Sequence, residues 1–70
     1  MKNLDYLTRE FVRQDCGANG AKLRDKDCDL IIAEVKRLDA KGEFYHTGVY
    51  WIANKLAAEG VINPLIGEKQ

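Results

Sequence analysis

The sequence feature that most constrains the fold is the stretch 46–62, which carries the pattern of one complete helix followed by a change of direction. Thr47 is a residue type that caps helix N-termini, and Gly60 is well placed to end the helix in a left-handed turn. Val61 and Ile62 then predict an extended, buried segment. The apolar residues between the two signals recur at helical spacing and predict the inner side of the helix: Val49, Ile52, Ala53 and Leu56.

The same helix has a second side, which points away from the apolar stripe. Because the stripe is already filled, Tyr50 and Trp51 do not both fit at its centre, and we expect at least one of them to be partly exposed. Aromatic side chains beside a neutral polar rim are typical of protein–protein anchors. The predicted partner-binding residues are Tyr45, His46, Thr47, Tyr50, Trp51, Asn54 and Lys55.

A second amphipathic pattern predicts a helix over about 26–40. Asp25 or Asp27 is its predicted cap, and Gly42 its predicted end. Its stripe is the clearest in the chain and consists of Cys28, Ile31, Ile32, Val35 and Leu38.

A third pattern predicts a helix over about 4–14 with Asn3 as its cap. Gly17 and Gly20 then mark a turn, and 21–24 is predicted to be a short strand or an arm. Three amphipathic segments with short connections predict a compact, mainly α fold in a single domain. Its parts are helices over about 4–14, 26–40 and 47–59, and a tail over 63–70.

Length and composition place the chain among ordinary globular proteins. Seventy residues form a domain that buries roughly 60% of the surface of its unfolded chain. Hydrophobic residues make up 46% and charged residues 31%, which favours neither a disordered nor a membrane protein. Since the chain has neither a membrane-length apolar run nor the apolar core of a signal peptide, we expect a cytoplasmic protein without a membrane segment.

The charges of the chain balance. Eleven basic and eleven acidic residues give a pI near 6.5, which is not typical of a protein held mainly by phosphate contacts. Acidic residues gather at Asp25, Asp27 and Asp29, with Glu34 further along. If the partner binds nucleic acid in a basic channel, these carboxylates are the candidate surface that contacts this channel.

The sequence offers no evident catalytic or metal-binding set. It contains no serine and one histidine, His46, so a hydrolytic triad is not available. Cys16 and Cys28 lack the close spacing of a zinc site, and we expect reduced, packed thiols, a disulfide being the lesser alternative. Asp25, Asp27 and Asp29 are spaced as at the start of a calcium-binding loop, but Leu30 occupies the position at which such a loop has glycine. We expect a non-enzymatic protein with no cofactor and no metal.

The order of helix, short extended piece, helix, turn and helix, closed by Leu56, Gly60, Val61 and Ile62, resembles the winged-helix form of the helix-turn-helix family over 27–62. In that family the last helix is the recognition helix, and an apolar strand after its glycine begins the wing. The resemblance implies one or two short strands beside the helices. It also implies a face toward the major groove of DNA that carries Thr47, Tyr50, Trp51, Asn54 and Lys55.

These observations predict a small protein-binding module that occupies the surface of a protein partner through its third helix. By size and character alone, the chain looks like the small inhibitors and regulators of phages and other mobile elements, of which anti-CRISPR proteins are one class. A regulator of a nucleic-acid machine such as CRISPR-Cas is therefore a predicted role. The alternative is a helix-turn-helix transcriptional regulator that binds DNA as a homodimer.

Overall fold

Three α-helices and one 3-10 helix make up the regular structure of residues 4–44 and 48–62, which are the residues that the computed structural model describes. The prediction of a mainly α fold is confirmed. These residues contain no strand, so the short strands that the winged-helix resemblance implies are not found among them. The elements are α1 (Arg9–Asp15), the 3-10 helix (Gly17–Lys22), α2 (Asp25–Ala40) and α3 (Tyr50–Ala58).

Helix α1 begins later than the sequence predicts, because Thr8 and not Asn3 is its cap. The Thr8 hydroxyl accepts a hydrogen bond from the Phe11 N–H at 3.0 Å. This bond satisfies one of the N–H groups that the first turn of a helix leaves without a partner. Residues 4–7 precede the helix and contain a turn, so the predicted start at residue 4 is wrong.

The segment after α1 folds as a 3-10 helix, and the alternative of a short strand at 21–24 is wrong. Gly17 begins it with a φ of 73°, a left-handed conformation that favours glycine. Gly20 is buried because the backbone of Arg13 runs directly beside it, and a Cβ at Gly20 would overlap the Arg13 carbonyl oxygen. The Arg13 guanidinium also donates to the Leu23 carbonyl oxygen at 2.9 and 3.1 Å, which ties the two helices together.

Helix α2 has the predicted extent to within one residue, but not the predicted cap. Arg24 occupies the cap position, in place of Asp25 or Asp27. Asp27 lies one turn into the helix, and its carboxylate accepts the Arg24 N–H at 3.0 Å. The same carboxylate accepts the Arg24 guanidinium at 2.8 and 2.9 Å. These bonds compensate for the complete burial of a charged group and lower the pKa of Asp27.

Two matching turns end α2 and α3. Gly42 and Gly60 have φ values of 75° and 78°. The residue after each glycine donates its N–H to the carbonyl oxygen five positions back, at 2.8 and 2.9 Å. The prediction that these two glycines end the helices is confirmed. Two residues beyond the first glycine lies Phe44, and two beyond the second lies Ile62; they are buried, at 6% and 4% exposure.

The ends of α3 differ from the prediction. The helix begins at Tyr50 with Val49 in the cap position, so the prediction that Thr47 is its cap is wrong. At the other end Val61 is 47% exposed, and it forms no strand with Ile62. The prediction of a buried, extended segment is wrong for Val61. After the left-handed turn at Gly60, Ile62 reaches the core and Val61 does not.

One hydrophobic core joins the helices, and α2 contacts both α1 and α3. Within the described ranges, no helix has both the length and the apolar character needed to cross a membrane. Ile32 of the predicted α2 stripe packs at the edge of the core and is only partly buried. The core consists of Leu7, Val12, Leu23, Cys28, Ile31, Val35, Leu38, Phe44, Val49, Ile52, Ala53, Leu56 and Ile62.

Alanine substitutions of Gly20 and Gly42 should separate a steric cost from a conformational one. Gly20→Ala forces the backbone of α1 away and is expected to lower the free energy of unfolding by about 3 kcal/mol. Gly42→Ala has open space around the new methyl group, and its left-handed backbone costs about 1–2 kcal/mol. Urea unfolding followed by circular dichroism measures both values. Equal losses would contradict the close approach of Arg13 to Gly20.

Candidate functional site

Four of the seven predicted partner-binding residues lie on α3. Tyr50 is 53% exposed, and Asn54 and Lys55 are also exposed. Trp51 is partly buried and packs against the core. The other three lie outside the described residues: Tyr45, His46 and Thr47.

The buried residues of α3, Ile52, Ala53 and Leu56, occupy one side of the helix. At about 100° per residue, the remaining positions fall on the opposite half. We call this half the α3 outer face, and it consists of Tyr50, Trp51, Asn54, Lys55 and Ala58.

Tyr50 and Trp51 occupy different environments on the α3 outer face. The Trp51 Nε1–H is buried and has no hydrogen-bond acceptor in the part of the chain that the structure describes. Tyr50 presents half of its surface to solvent. The expectation that at least one of the two aromatics is exposed is confirmed, and Tyr50 is the more accessible of the two.

Asp15, the last residue of α1, supports the beginning of α3. Its Oδ2 accepts the Val49 N–H at 2.7 Å. Val49 lies at the N-terminal end of α3, where the helix dipole favours a negative charge. Val49 itself offers no side-chain acceptor at the cap position. Gly48 allows the close approach, since its φ is 126° and a Cβ there would lie 3.3 Å from the same carboxylate oxygen.

Lys55, the basic residue of the α3 outer face, is paired with carboxylates. Its Nζ lies 3.2 Å from Glu34 on α2 and 4.0 Å from Glu59. Glu34 also accepts the Arg37 guanidinium at 2.6 and 2.9 Å. Hydrogen bonds from Arg37 first, and then from Lys55, lower the pKa of Glu34 to about 2. The pair between Lys55 and Glu34 attaches α3 to α2, and the two carboxylates beside Lys55 leave the α3 outer face without an excess of positive charge.

The acidic cluster at the start of α2 is engaged within the fold. Arg9 donates to Asp29 at 2.9 and 3.0 Å, and Arg9 and Arg13 contact Asp25 at 3.2 and 2.8 Å. These bonds lower the pKa values of both aspartates. Exposed ion pairs of this kind add little stability, but they orient α1 across α2. With Asp27 and Glu34 paired as described above, each of the four carboxylates proposed for a basic channel already has a cation from this chain.

The two cysteines are free thiols in the structure. Cys28 is completely buried on the α2 stripe, and Cys16 is partly buried. Burial, with a smaller effect of Asp15, raises the pKa of Cys16 to about 11, and burial also raises the pKa of Cys28. Such thiols are protonated at neutral pH and are poor nucleophiles. Among residues 4–44 and 48–62, no group of histidine, cysteine and acidic residues is arranged to hold a metal ion.

Sequence reasoning missed two residues that bear on this surface. Asp15 lies 34 positions from Val49, and no local pattern in the sequence connects them. Val61 extends the exposed surface of α3 beyond its last turn. The sequence marks a reversal of the chain direction at Gly60, but it does not show which of the two residues that follow is buried.

Comparison of the chain with protein-family models, with curated proteins and with solved structures finds no match in any of the three. The resemblance to winged-helix domains and the likeness to mobile-element inhibitors therefore stay predictions from the residues. The function of the α3 outer face has to be inferred from its own chemistry.

Removal of the Asp15 carboxylate should loosen α3. Asp15→Ala leaves the Val49 N–H without its acceptor, and we expect a loss of about 1–2 kcal/mol in the free energy of unfolding. Asp15→Asn keeps an oxygen acceptor without the charge, so it should lose less. Amide hydrogen exchange at the first turn of α3 should quicken most in Asp15→Ala. Unchanged exchange there would show that the contact does not hold the helix.

The ion pairs of Glu34 predict a stability that depends on pH. Its folded pKa of about 2 lies below the ordinary value of 4.5, so its contribution is fully present above about pH 5 and is lost as the pH falls toward 2. Urea midpoints measured between pH 7 and pH 2 should therefore decline less steeply in Glu34→Gln than in the wild type. Parallel curves would mean that Glu34 does not form these pairs in solution.

Proposed function

We propose that this protein is a small binding module that docks the α3 outer face onto a protein partner. The observation that carries the proposal is the 53% exposure of Tyr50 on a helix whose cation is already paired. A tyrosine offers a large apolar ring with one polar group and loses little side-chain freedom on binding. Residues of this type dominate the energy of many protein interfaces.

The attachment of α3 on three sides supports the same proposal. Asp15 accepts the backbone N–H of Val49 at its beginning, and Glu34 is paired with Lys55 on its flank. On its inner side Ile52 is fully buried. A helix held in this way presents its side chains in a fixed arrangement. Fixed side chains reduce the entropy that is lost on association, so a small surface binds more tightly than its area alone would indicate.

The proposed mechanism is occupancy of a partner's surface. Docking of this kind needs no reactive group, which agrees with the raised pKa values of the two thiols. A small regulator or inhibitor, of the kind that mobile elements direct against nucleic-acid machines such as CRISPR-Cas, is the role we propose for it. In that role, affinity would come from the Tyr50 surface, since the acidic residues of α2 are engaged within the fold.

DNA binding through a helix-turn-helix remains the alternative prediction. It would require cations that contact phosphates. Lys55 is instead within 4.0 Å of two carboxylates, those of Glu34 and Glu59. This charge arrangement favours a protein partner over DNA.

Capture of partners from nuclease-treated lysate with immobilised protein tests the proposal. Tyr50→Ala should reduce the retention of a bound protein at least tenfold, because loss of an interface anchor costs about 2 kcal/mol or more. Tyr6→Ala is the matched control, since Tyr6 is 42% exposed and contacts Phe11 on α1. Equal retention by both variants would contradict the proposal. Retention that disappears with nuclease, together with DNA binding that weakens steeply with salt, would favour the helix-turn-helix alternative.

A further inference from the structure

The Asp15 carboxylate and the Tyr50 ring border the same small space, where the end of α1 meets the beginning of α3. A Cβ on Gly48 would lie 3.3 Å from the Asp15 Oδ2 and 3.5 Å from Cδ1 of the Tyr50 ring. Because residue 48 is glycine, no side chain fills this space. Both bordering side chains are exposed, Tyr50 at 53%. We call this space the α1–α3 notch, with a negative group on one side and an aromatic ring on the other.

The Asp15 carboxylate has acceptor positions to spare. Its Oδ2 accepts the Val49 N–H at 2.7 Å, and a carboxylate offers about four acceptor positions on its two oxygens. Within residues 4–44 and 48–62, no lysine or arginine lies within salt-bridge distance of Asp15. This separates it from the carboxylates of α2 described above, which are paired with cations of the chain.

The charge at the notch is negative. Arg9 and Arg13, the basic residues of α1, are paired with aspartates of α2, and Asp15 lies about 160° around the helix from Arg13. The ends of two helices meet here, and their dipoles oppose each other: the end of α1 favours a cation and the beginning of α3 disfavours one. The carboxylate of Asp15 therefore decides the sign.

We infer that an arginine side chain of the protein partner occupies the α1–α3 notch. The inference rests on the proposed function, since it uses Tyr50, and it names the group that this surface recognises. A guanidinium is planar, so it stacks on a tyrosine ring and donates to a neighbouring carboxylate at the same time. A lysine ammonium is a compact point charge that does not stack. An apolar group would cover the Asp15 carboxylate without giving it a partner, which is unfavourable.

The other polar residues of the α3 outer face fit the same occupant. Asn54 lies one turn after Tyr50 on the same side of the helix and is exposed. Its amide oxygen is a further acceptor for guanidinium N–H groups. Lys55 lies about 140° around the helix from Tyr50, and its charge is compensated by Glu34 at 3.2 Å. An incoming cation therefore meets acceptors at this side and no unpaired lysine of α3.

NMR titration of the isotope-labelled full chain with blocked pentapeptides tests the inference. Each peptide has two glycines on either side of a central arginine, lysine or citrulline, the last being an uncharged analogue of arginine. At constant ionic strength, the arginine peptide should shift the amide signals of Asp15, Val49 and Tyr50 to saturation. The lysine peptide should bind about threefold more weakly because it does not stack. The citrulline peptide should leave these signals unshifted.

Two substitutions locate the site. Asp15→Asn removes the charge and keeps an oxygen for the Val49 N–H, and Tyr50→Leu removes the ring and keeps an apolar side chain. Each should weaken the binding of the arginine peptide about threefold or more. Glu10→Gln and Tyr6→Leu are the matched controls, because both residues are exposed and lie elsewhere, and both variants should bind like the wild type.

Equal shifts with the arginine and citrulline peptides would overturn the inference, and so would an arginine peptide that leaves Asp15 and Tyr50 unshifted. Both results come from the wild type and do not depend on the folding of a variant. Equal weakening in Glu10→Gln and Asp15→Asn would also count against the notch, with folding checked by circular dichroism. Capture of a lysate protein that depends on Tyr50 but not on the charge of Asp15 would leave the proposed function standing and remove only the arginine.

Discussion

The hydrogen bond between the Val49 N–H and the Asp15 carboxylate fixes the position of α3, and the candidate docking surface depends on it. A helix of nine residues is too short to be stable in water by itself. It persists here because Ile52 and Leu56 are buried in the core, because Lys55 is paired with α2, and because a carboxylate from another helix supports its first turn. The geometry of the exposed side of α3 therefore depends on the contacts that this helix makes with α1, α2 and the core.

The parts of the fold that could be predicted from the sequence are those decided by neighbouring residues. Gly42 and Gly60 end their helices because the left-handed backbone favours glycine over every other residue type. The starts of α2 and α3 were harder to predict, because the acceptor comes from a distance or from further down the chain. The start of α3 depends on Asp15, and the cap of α2 is completed by Asp27, a residue that a local reading takes for the cap itself.

The candidate site could be predicted in outline. Helical spacing separates the buried side of α3 from its exposed side, and it predicts that at least one of Tyr50 and Trp51 is exposed, without deciding that it is Tyr50. The pairing of Lys55 with Glu34 could not be predicted from the spacing, because it requires two helices to meet in space. The outward position of Val61 also required the structure, since β-branched residues after a glycine equally suggest a buried strand.

Val61 stands between two fixed points of the backbone. On one side Gly60 holds a left-handed turn closed by the Val61 N–H itself, and on the other Ile62 is inserted into the core. An exposed side chain on a loop ordinarily loses backbone freedom when it is bound, at about 1–2 kcal/mol per residue. At Val61 folding has already removed most of that freedom, so a contact with a partner at this residue would carry a smaller entropic cost than its place outside a helix suggests.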